Sequence, residues 1–214
     1  MDKTVAELRK DYTLQDLKET EVDTNPVIQF KTWFDQALAA QIIEPNAMTI
    51  ATTTRDGKPS ARMVLLKDFD ERGFVFFTNY HSQKGQELID NPQGAIVFWW
   101  AELERQVRIC GTVEKVSEQE SDYYFNSRPQ NSRLGAWASE QSEVIPYREI
   151  LEEKLELLQE KYANTEIPRP PHWGGFRVIP TEIEFWQGRA SRLHDRLRYS
   201  RQEDGSWKIE RLSP

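Results

Sequence analysis

A chain of 214 residues with a formal net charge of −7 can bury a sizeable core but lacks the basic excess that non-specific nucleic-acid binding requires. No run reaches the length of a membrane span, and the opening residues, MDKTVAELRKDY, hold no signal-peptide apolar stretch. The single cysteine, Cys110, cannot close an internal disulfide, so a reducing cytoplasm is the expected compartment, with neither membrane nor nucleic acid as partner. His81, His172 and His194 are too scattered to suggest a metal site.

Taken in order, residues 1–22 read as a mobile N-terminal segment with a short helix around Val5–Tyr12. Residues 23–214 read as one domain. Asn25-Pro26 gives a cap followed by Pro at the first helical position, and a helix should run to about Ile43 with Phe30, Phe34, Leu38 and Ile42 on one stripe. A strand is expected over Ala47–Thr53. Two apolar runs, Met63–Leu66 and Phe74–Phe77, flank Asp68–Gly73 and read as a β-hairpin. A helix then opens at Ser82-Gln83-Lys84. Ala95–Trp100 and Gln106–Val116 read as strands. Ser117-Glu118-Gln119-Glu120 has the capping-box form of a helix start, and Ser132–Ala138 suggests a short helical turn. Pro146–Tyr162 is amphipathic. Trp173–Ile179, Thr181–Trp186, Arg192–Tyr199 and Trp207–Leu212 complete the strands. Runs of antiparallel-style strands between helices indicate an α+β fold, and a nearly closed barrel removes the edges of so many strands.

Three clusters carry chemistry. Arg62, Lys67 and Lys84 lie near a helix N-terminus, whose unpaired N–H groups suit a phosphate. Ideal alternation puts Arg62 and Lys67 on opposite faces, so either a bulge intervenes or the two serve different anions. Tyr124 and Arg128 share a helix face one turn apart, with Ser132 just beyond, a set that suits a second phosphate. In the third, period two places Arg192, His194, Arg196 and Arg198 on one strand face. Either carboxylates such as Glu182 and Glu184 compensate these charges, or the face holds an anionic or electron-rich ligand. A His between arginines has its protonated form disfavoured, and Trp186 just before could wall a planar ring.

Several segments, in order along the chain, carry a resemblance. They are Arg62–Lys67 (RMVLLK), Phe77-Thr78-Asn79, Leu103–Val107 (LERQV), Tyr124–Pro129 (YFNSRP), Gly135-Ala136-Trp137, Trp173–Arg177 (WGGFR), Glu184–Gly188 (EFWQG) and Arg192–Arg196 (RLHDR). The chain thereby resembles the pyridoxine/pyridoxamine 5′-phosphate oxidase family. The resemblance implies an α+β, antiparallel FMN-binding split β-barrel with peripheral helices, working as a homodimer with FMN at the subunit interface. It implies FMN contacts at Arg62, Met63, Val64, Leu65, Leu66, Lys67, Phe77, Thr78, Lys84, Gln106, Gln141, Ser142, Trp186 and Arg196. Substrate contacts fall on Lys67, Tyr124, Arg128, Ser132, Arg192, Leu193 and His194, with Arg9, Lys10, Asp11 and Tyr12 closing over the pocket. Arg192 and His194 are assigned to the reacting end.

The implied reaction moves a hydride from C4′ of pyridoxine or pyridoxamine 5′-phosphate to the flavin, which O₂ reoxidises with release of hydrogen peroxide. The rival reading is a non-catalytic protein that binds FMN or pyridoxal phosphate, which has no need of Arg192 and His194 at a reacting carbon. Gln83 stands where an Arg is common beside the phosphate-binding Lys84. Replacing it with Arg is expected to tighten FMN binding by about 1 kcal/mol.

Overall fold

The computed structural model describes residues 4–8 and 10–214. Its α-helices are α1 (Pro26–Ala39), α2 (Gln83–Asp90), α3 (Glu118–Ser127), α4 (Gln130–Ala138) and α5 (Glu149–Lys161). Its strands are β1 (Ala47–Thr53), β2 (Pro59–Leu65), β3 (Asp68–Asp70), β4 (Gly73–Asn79), β5 (Gln93–Trp100), β6 (Arg105–Lys115), β7 (Trp173–Gln187), β8 (Asp195–Arg201) and β9 (Trp207–Arg211). They form a nine-stranded sheet ordered β2-β1-β5-β6-β7-β4-β3, with β8 on β7 and β9 on β8. The chain divides into two compact units.

The first unit comprises the chain up to Ile50, Ala95–Gly111 and Pro180–Pro214. Asn25 caps α1 by accepting a bond from Val27 N, with Pro26 at the first position, as the sequence suggests. The helix ends at Ala39, short of Ile43, and Gln41 turns into the left-handed region at φ 55°. Its buried face is Phe30, Trp33 and Ala37, whereas Leu38 is exposed, so the stripe drawn through Phe34 and Leu38 is rotated from the real one. Phe30 packs on Phe98 at 5.1 Å, Trp33 on Phe185 at 5.2 Å, and Phe185 on Tyr199 at 5.4 Å between ring centroids. Burying one such ring is worth about 2–3 kcal/mol, so these contacts contribute substantially to the unit's apolar core. Residues Glu182–Gln187 of β7 pair antiparallel with β8, and β8 with β9.

The second unit comprises Ala51–Gly94 and Thr112–Ile179. The stretch Asp68–Gly73 does carry a hairpin, but only over β3 and β4, with Phe69 opposite Phe74. The run Met63–Leu65 belongs to β2, which neighbours β1 in the sheet, so the hairpin expected between Met63–Leu66 and Phe74–Phe77 is not formed. The chain breaks strand at Leu66-Lys67, which is how Arg62 and Lys67 escape strict alternation. Gly73, at φ 138°, is required: a Cβ there would stand 2.2 Å from Val178 O. β4 pairs in turn with Trp173–Val178 of β7. Phe125 of α3, Leu134 of α4, Tyr162, Ile167 and Trp173 form a buried cluster on which Leu155 and Leu158 of α5 lean. Arg177 is buried and paired with Glu120 at 2.6 Å and Asp70 at 3.1 Å.

The sequence divides β7 in two at Pro180, yet the strand is continuous. Pro180 falls after the last residue paired with β4 and before the first paired with β8, so neither ladder needs its missing N–H. The strand expected from Arg192 starts only at Asp195. Arg192 closes a short 3-10 turn over Ala190–Arg192 instead, and Ser191 and Arg192 hold φ of 57° and 62°.

Candidate active site

In the second unit a cavity of about 670 Å³ opens between β2, β4, α3 and α4. Met63, Val64, Leu65 and Lys67 form one wall. Thr78 and Lys84 stand at another, and Tyr124, Arg128 and Ser132 at a third, with Gln141 at the rim. Lys67 and Lys84 of the first cationic cluster therefore meet Tyr124, Arg128 and Ser132 of the second in one cavity, whereas Arg62 does not line it.

An aromatic stack supports it. Phe77 lies parallel to Tyr124 at 4.0 Å and to Trp173 at 5.5 Å between centroids. Lys67 Nζ sits 5.9 Å from the Tyr124 ring, and the Arg128 guanidinium lies 4.5 Å over Trp173. Arg128 is the C-cap of α3 in extended conformation, and Ser132 lies in the first turn of α4, which has no capping side chain. Arg128 Nη1 is buried without a hydrogen-bond partner, and burial pushes the guanidinium pKa down. A desolvated cation with an unspent donor is poised for an anion.

The other cation is Lys84. Buried at 7 % exposure, it donates to Thr78 Oγ1 at 3.3 Å, and Thr78 in turn donates to Gln141 Oε1 at 3.0 Å. Burial lowers the Lys84 pKa first and the Arg62 charge lowers it further, while Glu87 pulls the other way. The sequence assigns phosphate affinity partly to the open N-terminus of α2. That end is largely closed: Ser82 caps Gly85 N, and Ser142 Oγ accepts from Gln83 N at 3.2 Å. The α2 terminus thus offers few free N–H groups, and the donors near the cavity are side chains. Arg62 donates to Thr52 Oγ1 at 2.5 Å and Ser60 Oγ at 2.6 Å. Gln83 turns to Glu87, donating to its Oε1 at 2.9 Å.

A second cavity, about 680 Å³, lies within the first unit. Lys10, Asp11 and Tyr12 line it with Trp99, Trp186, Arg192 and His194. Arg9 falls outside the described residues. Trp186 and His194 lie 4.6 Å apart, and Tyr12 meets both edge-on at 5.7 and 5.8 Å. His194 Nδ1 accepts the backbone N–H of Arg189 at 3.1 Å, so that nitrogen carries no proton and neutral His194 has its hydrogen on Nε2. Burial lowers its pKa and the Arg192 charge adds to the effect. The ring is thus a neutral imidazole that offers its Nε2–H as a donor.

Of the remaining candidates, Leu193 is exposed at 69 % and Gln106 is half-buried on β6. Leu66 is buried, and Ser142 serves the α2 terminus with φ 76°. Arg196 and Arg198 follow the compensated alternative. Arg196 forks onto Glu184 at 2.8 and 3.1 Å, and Arg198 reaches Glu182 and Glu210. Arg192 and His194 lie off that strand and stand apart from the pairing. Sequence reasoning gives no role to Glu104, which is 2 % exposed. Its Oε2 accepts from Thr13 N at 2.9 Å and Leu14 N at 3.2 Å, and its Oε1 pairs with Lys10 at 3.2 Å. Its place inside the Leu103–Val107 segment was the one sign in the sequence; its burial and left-handed conformation emerge only in the fold.

Among the described residues no group of His, Cys, Asp or Glu is arranged for a metal, and no helix is long and apolar enough to cross a membrane. An antiparallel split-barrel α+β fold with two phosphate-type cation clusters beside aromatic walls defines a flavin-nucleotide-binding class of protein. The chain belongs to the pyridoxine/pyridoxamine 5′-phosphate oxidase family. The profile described as pyridoxamine 5′-phosphate oxidase matches residues 34–162, and that of the pyridoxine 5′-phosphate oxidase C-terminal dimerisation region matches residues 173–214. The pyridoxine/pyridoxamine 5′-phosphate oxidase of Nostoc punctiforme is 76 % identical over the whole of both chains. Among solved structures, PhzG from Burkholderia lata in complex with tetrahydrophenazine-1-carboxylic acid is 32 % identical with a TM-score of 0.89, covering 96 % of this chain and 100 % of that one. An FMN-binding, pyridoxamine 5′-phosphate oxidase-related protein from Nostoc punctiforme shares the fold at 16 % identity, with a TM-score of 0.70 over 86 % of this chain and 97 % of that one.

Proposed function

We propose that the chain is an FMN-dependent oxidase that converts pyridoxamine or pyridoxine 5′-phosphate to pyridoxal 5′-phosphate with O₂, releasing hydrogen peroxide, and that it works as a homodimer in the cytoplasm. The observation that carries this reading is the single cavity that joins Lys84 and Thr78 to Lys67, Tyr124, Arg128 and Ser132: two sets of donors, each suited to a phosphomonoester. The residues fit FMN, because the buried Lys84 is bonded to no carboxylate among the described residues and an aromatic stack flanks the cavity. When bound, FMN supplies the two-electron acceptor that passes its electrons to O₂.

The chain's own residues bind and orient. Arg62, Thr78 and Lys84 hold the cofactor phosphate, with Met63–Lys67, Phe77, Gln141 and Ser142 beside it; Gln106, Trp186 and Arg196 are further FMN contacts implied by the family resemblance, which spreads the set over the two protomers of the dimer. Lys67, Tyr124, Arg128 and Ser132 hold the substrate phosphate, and the spare Nη1 of Arg128 supplies a charge-assisted bond there. Arg192 and the neutral imidazole of His194 serve the reacting end, where the Nε2–H of His194 can donate a hydrogen bond to the substrate's C4′ substituent and orient it. Lys10, Asp11 and Tyr12 cover them and exclude water, with Leu193 as a flanking contact.

The test is spectroscopic. The purified protein should carry FMN, bleach when pyridoxine 5′-phosphate is added without oxygen, and regain colour with hydrogen peroxide when air is admitted. A protein that holds FMN but stays oxidised under substrate would instead support the non-catalytic binding reading.

A further inference from the structure

The proposed FMN site contains a buried acid that the binding scheme does not use. Glu87, on the second turn of α2, is 5 % exposed. Four donors converge on its carboxylate. Ser60 Oγ donates to Oε2 at 2.5 Å, Thr52 Oγ1 donates to the same oxygen, and Arg62 Nη2 approaches it at 3.5 Å. Gln83 Nε2 fills Oε1.

The order of donors and acceptors is informative. A hydroxyl has one proton. Thr52 and Ser60 each spend theirs on Glu87, so only lone pairs are left for Arg62. Those lone pairs receive Nη1 and Nη2, at 2.5 and 2.6 Å. The chain of bonds runs in one direction, from guanidinium to hydroxyls to carboxylate. A side chain without an acceptor in place of Glu87 would leave both hydroxyl protons undirected, and a proton turned toward Arg62 would repel it.

The charges also balance. Arg62 and Lys84 are two cations close enough for Arg62 to depress the Lys84 pKa, and Glu87 is the anion between that offsets them. Burial resists ionisation of Glu87, but the bonds from Ser60, Thr52 and Gln83 outweigh it, with Arg62 adding, so the carboxylate stays charged.

Building on the FMN reading above, we propose that Glu87 is a positioning residue of the FMN-phosphate site, which fixes Arg62 by directing the hydroxyl protons of Thr52 and Ser60 onto itself. The obvious counter-effect is repulsion between Glu87 and the phosphate. The two effects have opposite signs, and only positioning depends on Arg62.

The experiment titrates apo-protein with FMN by flavin fluorescence quenching for Glu87→Ala, Glu87→Gln, Arg62→Ala and the Glu87→Ala/Arg62→Ala pair. Thermal melting of each apo-variant serves as the folding control. We expect Glu87→Ala to weaken FMN binding about fivefold or more with Arg62 present and less than about twofold without it, because residues acting through one another are not additive. Should the Ala variants fail to fold, Ser60→Ala and Glu87→Gln carry the test, each expected to weaken binding about two- to fivefold. Equal weakening with and without Arg62 would overturn the proposal, as would tighter binding in Glu87→Ala, the result repulsion requires. A wild-type chain that binds no FMN would fail the functional reading itself, a different outcome from wild-type binding without Glu87–Arg62 coupling.

Discussion

The two cavities are nearly the same size, about 670 and 680 Å³, but they are built from different kinds of backbone. That of the second unit is walled by regular elements: β2, β4, the end of α3 and the start of α4. Its working groups are cations and hydroxyls whose positions follow from strand and helix geometry. That of the first unit is made largely of irregular chain: Lys10–Tyr12 has no repeating structure, and Ser191 and Arg192 hold left-handed φ without being glycine. Each such residue costs on the order of 1 kcal/mol, and the strain falls beside the neutral His194. Holding a phosphate takes fixed charge, which regular structure supplies cheaply. Shaping a reacting end takes side chains in directions that helices and strands do not offer.

The division can be broken most sharply at Lys84. Lys84→Met keeps the length and removes the charge, and FMN affinity should fall by about 2–3 kcal/mol, roughly 30- to 150-fold, as read by flavin fluorescence titration. Loss of less than threefold would move the phosphate elsewhere. The complementary break is Arg192→Ala. It should lower turnover at saturating FMN tenfold or more, about 1.4 kcal/mol of transition-state stabilisation, while FMN affinity stays within about twofold of wild type. A parallel loss of cofactor would erase the distinction between the cavities.

A finer probe is Gln83→Arg. The sequence alone suggests about 1 kcal/mol of tighter FMN binding. Because Gln83 faces Glu87, the new guanidinium should pair with that carboxylate instead, and affinity should change by less than about twofold. The smallest effect concerns His194. Its folded-state pKa lies below the ordinary imidazole value, so the unfolded chain binds more protons in the window between the two. Its contribution to stability is therefore full above the unfolded pKa and is lost as pH falls through that window. His194→Asn should flatten this part of the stability–pH curve, measured by urea melts from pH 7 down to pH 5; an unchanged slope would mean the group does not titrate as described.

What the sequence made legible follows the same line. Ala47–Thr53 was read to the residue, and the α1 cap and the capping box at Ser117 stood out because periodicity and capping are local signals; of the cluster Arg62, Lys67 and Lys84, the two lysines share a cavity with Tyr124, Arg128 and Ser132, and Arg62 does not line it. The partners of β2 and β4 were not local: nothing between Met63 and Phe77 reveals that β1 and β7 take the bonds a hairpin would have used. Alternation misled at Arg192–Arg198, where polar spacing persists through a 3-10 turn before the strand begins. It did pose the right alternative for Arg196 and Arg198, which Glu184 and Glu182 compensate. Glu87 and Glu104 were invisible as functional candidates, since a carboxylate on a polar helix or in a turn looks solvated until its burial is known.

The carboxylate of Glu104 has a consequence for exchange with solvent. Thr13 and Leu14 belong to no helix or strand, so their amides would ordinarily trade hydrogen for deuterium within seconds. Both donate to one buried carboxylate, which also grips Lys10. Their exchange is therefore tied to the lifetime of a single side-chain anchor, and the two amides should open together. Tyr12, next to Thr13 in the chain, packs edge-on against Trp186 and His194, so release of the anchor should loosen that contact too, and the isotope would time it.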